Sequence, residues 1–175
     1  MNSRARATVA FLLLVALILV APIPTRAHAS SAEGAKYPVW LWPTDERRAI
    51  ASPYRAPAHE YGAGHRGMDL ATTPGAVIRA PADGTIAFRG TVVDRPLITI
   101  EHPGGYVSTF EPLSSELSPG DAISSGQVIG TVAAGGHAAP GTLHLGVRMD
   151  GAYINPMLLF GAVPRAVLLP CCTTP

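Results

Sequence analysis

The sequence predicts an all-β domain, an antiparallel sheet closing toward a barrel-like core, and three observations predict it. From Asp69 onward, β-branched runs alternate with turn-forming clusters at short spacing, as they do where hairpins follow one another. Between Tyr37 and His65, prolines recur every few residues; each removes a backbone donor, which excludes long helices there. Past the N-terminal leader, no apolar segment approaches the roughly 20 residues that a membrane-spanning helix needs.

The elements follow in order. Arg4 and Arg6 precede an apolar run from Val9 to Ala21, and Ala27-His28-Ala29 supplies a small-x-small cleavage site. Residues 1–29 are therefore expected to be a secretory signal peptide, with an uncleaved anchor as the competing reading, and residues 30–36 a short polar linker. Export places the chain outside the cytoplasmic membrane, secreted or associated with the cell wall, with no membrane span left after cleavage. Without its leader the chain carries ten Lys plus Arg against twelve Asp plus Glu. That balance argues against nucleic acid, whose phosphates need clustered cations. Residues 37–161 suit one β domain and 162–175 a loose tail.

Within the domain the strand-like runs are AVIRA, TIAFRGTVV, LITIEH, YVSTFEPL, AISSGQVIGTVA, LHLGVRM and AYINP, parted by PADG, DRP, PGG and DG. These make six or seven expected strands, closed by a short turn or helical piece at PMLLFGAV. Cys171 and Cys172 are adjacent, so they cannot join distant parts of the fold; a vicinal bridge, free thiols and an intermolecular link all stay open. The segment GDAISSGQVIG has the turn–strand–turn form of lipoyl and biotinyl carriers. Those carriers need a lysine on an exposed hairpin, and the one lysine of this chain is Lys36, in the linker. The segment is scaffolding.

The chemistry concentrates at GHRGMDLATTPG and GTLHLGVRMDG. His65 and Asp69 form an H-x-x-x-D pair, expected to converge across a turn bearing Gly67, and His144 lies in a strand-like run about 75 residues on. Two imidazoles and a carboxylate suit a catalytic zinc, which takes three protein ligands and keeps a fourth position open. An H-x-x-x-D pair on its own reads more readily as a surface histidine and a turn aspartate, and it is the company of other motifs that changes this.

Together, GHRGMDL, PADGTIAFRG, GGYVSTFEPL, GDAISSGQVIG and LHLGVRMDGAYINP, in this order and spacing, resemble the lysostaphin/LytM-type zinc metallopeptidases, peptidase family M23, over roughly residues 37–161. The resemblance implies a compact antiparallel β fold, zinc held by His65, Asp69 and His144, and peptidoglycan peptides as substrate. It also marks departures. In the family an H-x-H strand carries a catalytic histidine two residues before the ligand, where this chain has Thr142. A second family histidine is expected in the segment where this chain reads YVSTFEPL, with Glu111. Two readings follow: a cell-wall endopeptidase, weakened or using Glu111 as general base, or an inactive zinc-holding module that binds or regulates at the cell wall.

Of the other histidines, His137 lies in a Gly/Ala/Pro loop leading into the ligand strand and is a candidate replacement for a missing catalytic histidine. His59 reads as loop surface. His102, at a strand end before a turn, is expected to be exposed. Tyr106 and Arg148 are expected to serve packing and surface.

Overall fold

The structure, a computed structural model, describes residues 37–59, 61–136 and 139–161. The leader, the linker, His137 and the tail with Cys171 and Cys172 lie outside them. Eleven strands follow the chain: β1 (Ile50–Ser52), β2 (Gly67–Ala71), β3 (Val77–Arg79), β4 (Gly84–Val92), β5 (Arg95–His102), β6 (Tyr106–Glu111), β7 (Leu113–Ser114), β8 (Ala122–Ile123), β9 (Val128–Val132), β10 (Thr142–Met149) and β11 (Ala152–Ile154). A 3-10 turn over Pro156–Leu158 ends the series, capped by the Asn155 side chain, which accepts from Met157 N–H. None of the helices among the described residues is long and apolar enough to cross a membrane.

The strands form two antiparallel sheets. The larger has the order β1-β2-β10-β6-β5-β4-β8, with β11 paired to β10; the smaller has the order β3-β9-β7. The expected runs all reappear, two of them split. YVSTFEPL breaks at Pro112, which cannot donate to a ladder, and AISSGQVIGTVA breaks at the turn around Gly126. Two strands lay outside the expectation, β1 and β2. The second matters most: Gly67 opens a strand and is not part of a turn, so Asp69 is a strand residue.

Both sheets pack on one core. Met68 and Leu70 of β2, Leu143, Leu145 and Val147 of β10, Phe110 of β6 and Ile98 and Ile100 of β5 are fully buried, and Ile78, Ile129 and Leu113 of the smaller sheet join the same cluster. Each such side chain contributes ~1.5–3 kcal/mol on leaving water. In β10 and its two neighbours, register fixes what faces the core. Leu145 pairs with Met68 on one side and Phe110 on the other. Because side chains alternate, the preceding row, Asp69–His144–Glu111, must point to the opposite face. A slip of one residue would exchange the two rows.

His102 is buried, at 7% exposure, not exposed as its position before a turn suggested. Its Nδ1–H donates to the Asp83 carbonyl at 2.8 Å, Nε2 lies 2.7 Å from Ser108 Oγ, and the ring lies 4.6 Å from that of Trp40. Burial pushes its pKa below the ordinary histidine value, outweighing the carbonyl contacts of Asp83 and Ala82. Tyr106 packs against the same Trp40, and Arg148 lies over the exposed ring of Tyr153, both in keeping with their sequence roles.

Candidate metal centre

His65 precedes β2 and is tied to Arg55 by a two-way backbone bridge, His65 N–H to Arg55 O at 2.9 Å and the reverse at 3.0 Å. That bridge turns its ring toward the open face of β2. Asp69 and His144 reach the same place from directly opposed positions on β2 and β10. Gly67 makes room for them. A Cβ there would come within 2.5 Å of both His144 Nε2 and the Leu145 carbonyl, so a side chain at this position would collide with the His144 ring and the neighbouring strand. The glycine thus serves a close approach, though across strands and not in a turn.

Three atoms converge. His65 Nε2 lies 3.1 Å from Asp69 Oδ1 and 3.2 Å from His144 Nδ1, and His144 Nδ1 lies 2.8 Å from Asp69 Oδ1. One donor atom from each residue falls within 4.8 Å of the others, and all three residues are half-buried. The tautomer of His65 follows from its other nitrogen, because Nδ1 sits 2.8 Å from the Pro53 carbonyl, which can only accept. Nδ1 therefore carries the proton and Nε2 turns a lone pair toward the carboxylate oxygen. With its hydrogen on Nδ1, His144 donates to Asp69 Oδ1 at 2.8 Å; with the hydrogen on Nε2, three lone pairs face one another and suit a cation. A pair of imidazole nitrogens with one carboxylate oxygen is a donor set suited to zinc, and the Pro53 carbonyl holds the first imidazole as outer partners of ligand histidines do. The residues fit the ion that the sequence implied.

The three open into a cleft of about 400 Å³ lined also by Ser52, Arg55, Gly64, Arg95, Glu111 and Ala139. Glu111, the last residue of β6, stands directly opposite His144 of β10, and its Oε2 lies 2.9 Å from Arg95 Nε. That Nε is buried and lacks an aligned acceptor, so the pair is a charge contact at short range whose N–H points off the oxygen. Thr142 shares the face of His144 but lines a neighbouring hollow with Pro112 and residues 133–136, and its hydroxyl donates to the Ala139 carbonyl at 2.7 Å. Arg55 and Arg95 were absent from the sequence reading. Arg95 falls within the turn signal DRP, and nothing local marks it as reaching Glu111, 16 positions on.

The model of Peptidase family M23 matches residues 63–156, just over half of the chain. An uncharacterized protein of Mycobacterium tuberculosis is 33% identical over 129 residues, covering 70% of this chain and 52% of the relative. The chain thus spans about half the length of the curated relatives it matches first. The murein hydrolase activator NlpD of Salmonella dublin is 29% identical over 140 residues, 76% of this chain and 34% of its own length. A zinc-containing peptidase from Vibrio cholerae superposes with a TM-score of 0.59 at 23% identity, over 70% of this chain and 40% of that one, and so shares the fold.

Proposed function

The chain belongs to peptidase family M23, and from that premise we propose an extracytoplasmic, zinc-dependent peptidase acting on the peptides of bacterial peptidoglycan. The observation that carries the proposal is the convergence of His65 Nε2, Asp69 Oδ1 and His144 Nδ1 in an open cleft. Cell-wall action and a place outside the cytoplasm are supported by the resemblance to the murein hydrolase activator.

When bound, zinc supplies Lewis acidity toward a water and toward the scissile carbonyl. The protein does the rest. His65, fixed by the Pro53 carbonyl, and His144, seated over Gly67, hold their nitrogens without further reorganisation. Glu111, which lines the cleft, is the general base of this proposal: Arg95 engages Oε2 and leaves Oε1 without a protein partner among the described residues. His137, five positions before Thr142 in the sequence and outside the described residues, is the alternative proton carrier.

A second reading is favoured by one contact. The Thr142 hydroxyl is already engaged by Ala139, so the family's histidine position offers no proton carrier, which suits a non-catalytic regulator of the cell wall. Release of soluble peptide fragments from purified peptidoglycan separates the two. The peptidase reading expects release by the parent, a loss of 10² to 10⁴ in Glu111→Gln, the range of a positioned acid or base, and unchanged zinc content. A gain of that order in Thr142→His from an inert parent would mean that the missing histidine limits turnover. If neither protein releases fragments while both hold zinc, the regulator stands.

A further inference from the structure

The cleft holds more positive charge than the proposed metal chemistry uses. Arg55 is exposed, and its guanidinium has no hydrogen-bond or ion-pair partner among the described residues; its backbone alone is engaged, with His65. Arg95 presents five N–H donors, yet its contacts are one charge contact from Nε to Glu111 and one at 3.6 Å from Nη1 to Asp94. The buried Nε has no aligned acceptor even so. Arg95 is also held in place. Residues 135 and 136 lie against its stem, and a Cβ on Gly136, whose φ is +70°, would come within 2.6 Å of Arg95 Cδ. A side chain that could swing freely into water is here fixed along the cleft wall by backbone.

The charges decide what the cleft accepts. Asp69 and Glu111 are its two carboxylates, and Arg55 and Arg95 its two permanent cations. A divalent ion at His65, Asp69 and His144 would leave the cleft with an excess of positive charge, beside donors that have no acceptor. A planar carboxylate satisfies a guanidinium fork best. We propose that Arg55 and Arg95 form a carboxylate-binding subsite beside the metal centre, so that the chain selects peptides with a free carboxylate next to the bond placed at the metal. This deepens the peptidase proposal and rests on it for the identity of the substrate; carboxylate binding itself can be measured apart from turnover.

The test is equilibrium titration of the purified chain, first treated with chelator so that neither hydrolysis nor metal coordination contributes, then loaded with zinc. The probes are acetyl-Lys-D-Ala-D-Ala as free acid, the same peptide as C-terminal amide, and amides with Glu or Gln in place of Lys. The subsite predicts that the acid, or the Glu amide, binds roughly tenfold or more tightly than its neutral counterpart, as expected for a charge-assisted contact. Preference for the acid identifies the chain terminus as the source of the carboxylate, and preference for the Glu amide identifies a side chain. The preference should collapse in Arg55→Gln and Arg95→Gln and partly survive in Arg95→Lys, which keeps the charge without the fork. Arg55 is exposed, so Arg55→Gln keeps the test valid should the Arg95 variants misfold. Equal affinity for charged and neutral probes, or a preference undiminished in Arg55→Gln and the double variant, overturns the inference. Fragment release and zinc content are measured in parallel. Release without the preference removes the subsite and leaves the peptidase, whereas the preference without release removes the peptidase and leaves the subsite.

Discussion

His102 and the pair His65–His144 are the same residue type put to opposite uses, and the difference lies in what meets their ring nitrogens. His102 is buried under Trp40, with Nδ1 on the Asp83 carbonyl and Nε2 on Ser108 Oγ, so both nitrogens have protein partners of the right kind. His65 has one nitrogen satisfied by the Pro53 carbonyl and turns the other toward a carboxylate oxygen and a second imidazole nitrogen. In the first case the protein completes the hydrogen bonding. In the second it leaves a concentration of lone pairs half-open to solvent. What separates the structural histidine from the candidate ligands is therefore the set of partners at the ring nitrogens, more than the degree of burial.

The largest expected effect breaks the comparison at its centre. Asp69→Ala and His144→Ala each remove one of three donors, and should lower zinc content from about one ion per chain to near zero, because a two-donor site rarely holds the ion. His102→Gln should retain full zinc. Metal analysis of the three variants beside the parent decides it, and zinc retained in Asp69→Ala would mean that the converging atoms are not the ligands. Since the core rows Met68–Leu145–Phe110 do not include the site, chelation should lower the melting temperature only modestly.

Some of this was legible in the sequence and some was not. The alternation of LHLGVRM predicts a strand whose Leu143, Leu145 and Val147 face the core, and it follows that His144 faces away from it; the structure has that arrangement. The antiparallel all-β fold was legible for the same reason, since turn residues and β-branched runs are local signals. Strand β2 was not, because GMDLA lacks β-branched residues and gains its pairing from β1 and β10 on either side. The burial of His102 is not legible in the sequence because a turn next to it says nothing of Trp40, 62 positions earlier, which covers it. Arg95 and Arg55 escaped notice for a related reason: their relation to Glu111 and His65 exists only after the chain has folded.

An intermediate effect sharpens the comparison from the ligand side. Gly67→Ala adds one methyl group whose carbon would sit 2.5 Å from His144 Nε2 and from the Leu145 carbonyl. The imidazole can shift but the strand backbone cannot do so without cost. Overpacking of this kind costs ~1–3 kcal/mol, and displacing a ligand ring should weaken zinc binding about 10- to 100-fold, the range seen when a ligand's support is lost. Denaturant titration and competition with a chromophoric chelator measure the two losses separately. Unchanged zinc affinity would show that His144 need not sit over Gly67.

The smallest effect concerns His102 and fixes its charge. Burial lowers its pKa in the folded chain, while the unfolded chain holds it near the ordinary value of about 6.5. Below that value the unfolded state binds the proton and the folded state resists it, so unfolding takes up protons and stability rises with pH. The contribution is complete above about pH 6.5 and is lost as the pH falls below it, by at most about 1.4 kcal/mol for each pH unit until the folded form protonates as well. His102→Gln keeps hydrogen-bonding groups at the position but cannot titrate. Between pH 7 and 5.5 the parent should therefore lose more stability than the variant, and above pH 7 the two stability curves should run parallel. The comparison is made on metal-free protein. Every other group is common to both chains, so the difference isolates position 102. Equal slopes would mean that His102 accepts its proton in the folded chain as easily as in the unfolded one, and the contrast between the buried histidine and the open pair would then rest on hydrogen-bond geometry alone.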